Sequence, residues 1–262
     1  MKKLALCIGI NDFPGTDSDL NGCVNDARDW KNVLVSRGFD TKVLLDNQAT
    51  YSAVTDTITE MLDTTKSGDS IIITNSTHGT QIPDTSGDEV DKLDEAICVI
   101  SDDGDKIDLI IDDQLWALFK LKKPGVKLVW MADSCHSGTV TRFFGENYKG
   151  KRRFLPWAIL QYIINNPVSG KRDVSFERDE EQSPWPCLLI AGCQDNEYCY
   201  DTSFNGKPNG AFTRLAIDAL TNLHPTATYT DWFNTIKQVL PTNDYPQTPN
   251  MIGSYLNTPI FS

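Results

Sequence analysis

Short runs of apolar, mostly β-branched residues alternate along this chain with stretches whose apolar positions recur at helical spacing. Residues 4–10 read as a buried strand. Residues 20–37 read as a helix, with Val24, Ala27, Trp30, Val33 and Leu34 on one face and Gly38 as its stop. A strand over 41–45, a helix over 50–63 and a strand over 69–76 follow. Ala96–Ile100 and Lys106–Ile110 flank Asp102-Asp103-Gly104 and predict a hairpin. Further elements are a helix over 112–120, a strand over 126–132, a helix from Trp157 to Ile164 and a strand from Cys187 to Ala191. Helices over Ala211–Leu220 and Asp231–Leu240 and an edge strand near Met251–Tyr255 complete the pattern. Repeated strand–helix units predict an α/β fold, a mostly parallel sheet covered by helices on both faces. Gly138 to Pro186 lacks strand character, and a gap of that length inside a compact domain is usually functional or mobile.

At 262 residues the chain suits one large α/β domain or two small ones. The apolar run Leu4–Ile10 is too short to span a bilayer and leads into Asn11-Asp12, so it reads as a strand and not a signal peptide. The seven cysteines are odd in number and include no CxxC, which suits reduced thiols in a cytoplasmic protein. Cysteines and histidines show no paired zinc-ligand spacing. The net charge of −12 argues against nucleic acid as a partner. Nearly all of that excess lies between Asp84 and Asp113, where twelve acids face Lys92 and Lys106, a local balance of −10. A solvated loop, a cation site and a lure for a basic substrate all remain open for this segment. No membrane partner is expected, and a monomer is.

Two stretches carry chemistry. Asn75-Ser76-Thr77-His78-Gly79 follows one apolar run, and Asp133-Ser134-Cys135-His136-Ser137-Gly138 follows another. Sites of open parallel sheets form outside the carboxyl ends of the strands, so His78 and Cys135 can meet there. A thiol with an imidazole partner is the minimum apparatus for attack on a peptide carbonyl. The backbone N–H groups of Gly79 and Cys135 are candidate oxyanion donors, since glycine permits close approach. His136, next to Cys135 on a turn, is expected to point elsewhere. The histidine precedes the cysteine by 57 residues, close to the caspase spacing of about 50 and opposite to the papain order.

With these motifs the chain resembles the metacaspases, caspase-like cysteine peptidases of bacteria, plants, fungi and protists. The matching segments run in order. Leu20-Asn21-Gly22-Cys23-Val24-Asn25-Asp26-Ala27, Ser76-Thr77-His78-Gly79-Thr80-Gln81, Asp94-Glu95-Ala96-Ile97 and Ile111-Asp112-Asp113 precede the cysteine motif. Ala191-Gly192-Cys193-Gln194-Asp195, Gly210-Ala211-Phe212-Thr213 and Pro246-Gln247-Thr248-Pro249 follow it.

The resemblance implies a caspase-like three-layer sandwich with a central sheet of six or more strands. It implies a single domain over 1–262, with a large-subunit-like part (1–145), a connector (146–185) and a small-subunit-like part (186–262). It also implies cleavage of protein or peptide substrates after Arg or Lys, with Cys135 as nucleophile and His78 as its partner. By similarity Cys23, Asp26, Ser76 and Asp133 line the pocket for the basic side chain, where two carboxylates favour a cation and repel an aspartate. No cofactor is implied for the chemistry. Many relatives use calcium as an activator, and the corresponding acids here are Asp94, Asp112 and Asp113. Arg142 stands where relatives carry a further acid, which counts against calcium, and Thr77 stands where many have glycine.

Self-cleavage is the family's other habit, and Lys149, Lys151, Arg152, Arg153, Lys171 and Arg172 are its candidates. Three readings stay open for this basic cluster: a solubilising loop, a cleavage site, or a tethered inhibitor seated in the pocket. The alternatives to a peptidase are a non-catalytic interaction module and a calcium-responsive switch.

Overall fold

A computed structural model of the chain describes residues 1–83, 92–135, 149–161 and 185–262. In chain order the elements are β1 (Lys3–Gly9), α1 (Cys23–Ser36), β2 (Asp40–Leu45), α2 (Tyr51–Thr64), β3 (Ser70–Ser76), β4 (Gly79–Pro83), β5 (Leu93–Ile100) and β6 (Ile107–Ile111). Then come α3 (Asp112–Lys120), β7 (Lys127–Asp133), β8 (Lys151–Arg152), α4 (Trp157–Leu160), β9 (Leu188–Ala191), β10 (Tyr200–Phe204) and β11 (Lys207–Gly210). The last are α5 (Ala211–Leu220), α6 (Tyr229–Ile236) and β12 (Asn250–Gly253).

The central sheet has six strands in the order β12-β9-β7-β3-β1-β2. All are parallel except the edge strand β12, which runs antiparallel to β9. Strands covered on both faces read as continuous apolar runs, which is why Leu4–Ile10 and Ile71–Ile73 were conspicuous in the sequence. One face packs on α2, α3 and α4 through Val54, Ile58, Leu115, Phe119 and Leu160. The other packs on α1, α5 and α6, where Trp30, Trp232 and Phe261 meet edge to face at 5.9–6.4 Å. The expected α/β sandwich is the fold found.

The expected α1 face is buried at Val24, Ala27, Trp30 and Leu34, with Val33 at its margin. The helix stops before Gly38, whose φ of +84° only glycine adopts at low cost. Thr50 caps α2 by accepting from the Ala53 N–H. The predicted hairpin forms as β5 and β6 within an antiparallel sheet β4-β5-β6.

Three readings need correction. The stretch after Gly138 is not without strands, because β8 forms at Lys151–Arg152 and pairs antiparallel with β10. Its two residues carry no apolar alternation, so pattern alone does not reveal it. The small sheet β11-β10-β8 was unseen for the same reason: Tyr200–Phe204 and Lys207–Gly210 are largely polar. The helix expected over 231–240 ends at Ile236, before a cis Leu240–Pro241 bond.

Candidate active site

Strand register brings the two motifs together. β3 and β7 are parallel neighbours with Ser76 opposite Asp133. His78 and Cys135 each lie two residues further on, so both emerge side by side from the carboxyl ends of adjacent strands. Thr77, immediately before His78, is buried and donates its hydroxyl to the Cys98 carbonyl at 2.7 Å, while the Cys98 N–H donates to the His78 carbonyl at 2.9 Å. The loop carrying His78 is thereby fastened to β5, and the threonine that departs from the family pattern has a structural role.

The His78 ring packs tilted against Phe13, with ring centres 4.5 Å apart, and its Nε2 lies 2.7 Å from the Ser18 carbonyl. A carbonyl only accepts, so Nε2 carries the proton and Nδ1 is left bare as the basic nitrogen. Nδ1 has no hydrogen-bond partner among the described residues. Burial pushes the ring down to about 4, with the Arg153 charge adding to that, while the Ser18 carbonyl and the Cys135 sulfur pull the other way. At neutral pH the ring is therefore uncharged and able to accept a proton.

That depression has a testable consequence. The folded chain binds fewer protons than the unfolded chain between about 4 and 6.5. Stability from this group is complete above pH 6.5 and falls as pH drops toward 4, by up to about 3 kcal/mol. Asp26, pushed up to about 6, works in the opposite direction over part of that window. Urea midpoints of the wild type and His78→Phe, compared from pH 7 to pH 4, isolate the histidine: the difference between them is expected to shrink as the solution is acidified. A constant difference would contradict the assignment.

Cys135 is fully buried, and its Sγ accepts the Cys199 N–H at 2.6 Å. Such a donor favours the thiolate. The residue in front of it is Arg153. Its carbonyl oxygen accepts from the N–H groups of Gly79 at 2.9 Å and Cys135 at 3.2 Å, the two donors named from the sequence. Gly79 is required for that approach, since a Cβ there would lie 1.8 Å from the Cys135 carbonyl oxygen.

The Arg153 side chain, 0 % exposed, occupies an acidic pocket. Its guanidinium meets Asp26 at 2.6 Å, Asp133 at 3.0 Å and Asp201 at 3.1 Å, and donates to the Asp133 carbonyl at 3.0 Å. The carboxylates are themselves held. Asn209 and the Gly210 N–H donate to Asp26, Thr213 donates twice to Asp133, and the Asn21 and Gly22 N–H groups donate to Asp201. Burial raises Asp26 and Asp133 despite the guanidinium, and the clustered acids hold Arg153 well above its ordinary value. Such a pocket demands a cation.

Of the four residues expected to line it, Asp26 and Asp133 touch the guanidinium. Cys23 is buried close enough to couple electrostatically with it, and Ser76 lies beside Asp133 in the strand register. Asp201 was missed: one acid in a short polar strand has no distinguishing pattern. Gly210 and Thr213 sit in a motif noted from the sequence, but their pocket role required the fold.

The flanking residues extend the same seat. The Arg153 N–H donates to the Cys199 carbonyl at 3.0 Å. The Arg152 guanidinium lies 4.5 Å over the Tyr198 ring, and Lys151 Nζ reaches the Asp19 carbonyl at 2.6 Å. Beyond Arg153, Phe154 meets Tyr198 edge to face at 5.9 Å, and the Leu155 N–H donates to Gly79. Lys149 is exposed and pairs with Asp244. Lys171, Arg172, His136 and Arg142 lie outside the described residues.

Asp94 is buried where β5 begins, and Asp112 and Asp113 are buried just after β6 ends, in the first turn of α3. Among the described residues the three do not form a tight ligand cluster; Cys135, Cys193 and Cys199 do, with Sγ atoms within 4.8 Å of one another. The sequence spacing predicted no such grouping, because β7, β9 and β10 bring its members together from distant positions. All seven cysteines are free thiols. No described helix is long and apolar enough to cross a membrane.

A family model described as "Caspase domain" matches residues 2–261. Metacaspase-1 of Mycosarcoma maydis is 29% identical over 97% of this chain and 71% of its own length. Metacaspase-1 of Schizosaccharomyces pombe is 29% identical over 97% of this chain and 68% of its own. Among solved structures, a protein of Geobacter sulfurreducens superposes with a TM-score of 0.78 at 29% identity, covering 100% of this chain and 99% of that one. Caspase-1 of Spodoptera frugiperda, with a TM-score of 0.64 at 12% identity and covering 99% and 89%, shares the fold.

Proposed function

The chain belongs to the caspase-domain family and is a metacaspase-like cysteine peptidase, a hydrolase, and from that premise we propose that it cleaves peptide bonds after Arg or Lys and cuts its own chain between Arg153 and Phe154. One observation carries the reading: the Arg153 residue is engaged at both ends, its guanidinium among three carboxylates and its carbonyl oxygen between two N–H donors.

In this reading Cys135 Sγ attacks the carbonyl carbon of the residue held in the pocket. The Gly79 and Cys135 N–H groups stabilise the oxyanion. His78 Nδ1 accepts the thiol proton and delivers it to the leaving amine, and water then releases the acyl group from the sulfur. No cofactor enters these steps. β8 runs beside β10 as a substrate strand would, the β-augmentation mode of peptide recognition. Its residues suggest a preference beyond the pocket: a cation over Tyr198 before the cleaved residue and an aromatic ring after it.

Peptides built on Lys-Arg-Arg-Phe test this. Replacing the second arginine by lysine is expected to retain cleavage, and replacing it by aspartate is expected to lower kcat/KM on the order of 10³-fold or more, because the substrate carboxylate would face three others. Equal cleavage of the aspartyl peptide would sink the proposal.

Calcium is an arm of the same assay. Asp94, Asp112 and Asp113 offer the oxygen ligands it takes, whereas helix polarity alone also favours acids in the first turn of α3. A rate raised by calcium and lost on chelation would assign them to the ion. A rate indifferent to both would assign Asp112 and Asp113 to the helix.

A further inference from the structure

The side chains of Cys193 and Cys199 do no work in the reaction described, yet both sulfurs lie within 4.8 Å of its thiol. The Cys193 and Cys199 sulfurs lie 2.9 Å apart, and both are directed at the Ser134 carbonyl, at 3.8 and 3.4 Å, immediately before Cys135 in the chain. The Cys199 N–H touches Cys135 Sγ, and the three Sγ atoms lie within 4.8 Å of one another. Gly192 makes room for the group, since a Cβ there would sit 3.0 Å from Cys199 Sγ. A reactive thiol needs one companion for thiol chemistry; this one has two, within 4.8 Å and buried.

We propose that Cys135, Cys193 and Cys199 form a redox site in which an oxidised Cys135 is captured as a disulfide with Cys199, so that oxidation by a small hydroperoxide silences the peptidase reversibly.

The Cys135 thiol gives its proton to His78 and the thiolate attacks one oxygen of hydrogen peroxide; the O–O bond breaks, the sulfur becomes a sulfenic acid, and the leaving hydroxide takes the proton back from His78 and departs as water. Cys199 Sγ then attacks the Cys135 sulfur. An S–S bond forms as the S–O bond breaks, and the Cys199 thiol proton leaves with the hydroxyl as a second water. A dithiol reductant restores both thiols. Cys193, in contact with Cys199, can exchange into the disulfide. The hydrogen bond with Cys135 chiefly, and burial after it, holds the Cys193 thiol well above its ordinary range, and burial chiefly does so for Cys199, so neither reacts with peroxide first. Full burial of Cys135 restricts the oxidant to small molecules.

The inference rests on Cys135 being the reactive thiol, and a mass readout separates it from the peptidase reading. The full chain is treated with hydrogen peroxide, then digested and mapped without reduction, beside Cys199→Ser and Cys193→Ser. The wild type is expected to lose two hydrogens, carry a disulfide joining Cys135 to Cys199 or Cys193 and recover its activity with dithiothreitol. Cys193→Ser is expected to map to Cys135–Cys199. Cys199→Ser is expected to gain two or three oxygens on Cys135 and stay inactive. Sulfinate accumulating equally in the wild type and Cys199→Ser would overturn the proposal, as would a disulfide that excludes Cys135. A Cys135–Cys199 disulfide in a chain that hydrolyses no peptide would uphold the redox site and refute the peptidase reading.

Discussion

Replacing Cys135 with alanine is expected to yield an intact, folded chain that cleaves nothing. Loss of a nucleophile in a thiol peptidase removes on the order of 10⁴-fold or more of the rate, because the remaining donors and pocket only position the substrate. The fold should tolerate the change. The side chain is small, and the principal loss is one acceptor for the Cys199 N–H, about 1 kcal/mol. Intact mass of the purified proteins and hydrolysis of an arginyl peptide are the two measurements. The wild type should appear as fragments ending at Arg153 and beginning at Phe154, and the variant as a single chain. Residual cleavage of the peptide by the variant at a wild-type rate would remove Cys135 from the mechanism.

The second large effect concerns Arg153. Arg153→Gln leaves Asp26, Asp133 and Asp201 facing one another in a buried pocket with no cation. Removing one partner of a buried ion cluster costs about 3–5 kcal/mol. Two results are expected together: no fragment ending at position 153, and a markedly lower denaturation midpoint. A small guanidine compound should rebind the emptied pocket and restore part of the lost stability in a concentration-dependent way. Arg153→Lys should keep the ion pairing and the cleavage while weakening both, since an ammonium lacks the planar fork that meets three carboxylates at once. Unchanged stability in Arg153→Gln would mean that the guanidinium contributes little to holding the pocket together.

The sequence disclosed the central sheet well because buried parallel strands leave continuous apolar runs, as at Leu4–Ile10, Ile71–Ile73 and Leu128–Met131. It disclosed His78 and Cys135 because each ends such a run, so their meeting follows from sheet topology. The pocket was only half legible. Asp26 and Asp133 lie in motifs, but Asp201 joins them through β10, whose polar residues have no periodicity to read. The basic cluster named Arg153 among six candidates and could not single it out, because what distinguishes it is the Gly79 and Cys135 N–H groups at its carbonyl. The cluster of Cys135, Cys193 and Cys199 was invisible for a related reason: ligand-spacing rules see only neighbours in sequence, and these three residues are brought together only in space.

The pairing of β8 with β10 has a kinetic meaning. A substrate strand supplied by the same chain does not dissociate into bulk solution, and it competes at an effective concentration that for short tethers reaches millimolar. Under the proposed self-cleavage an incoming peptide faces that competitor until the bond after Arg153 is broken. Even then the new carboxyl end at Arg153 remains tethered to the body that cut it. Under the proposed self-cleavage the first product is therefore also the first inhibitor, and the apparent KM for added peptide should be raised by a factor that does not depend on protein concentration.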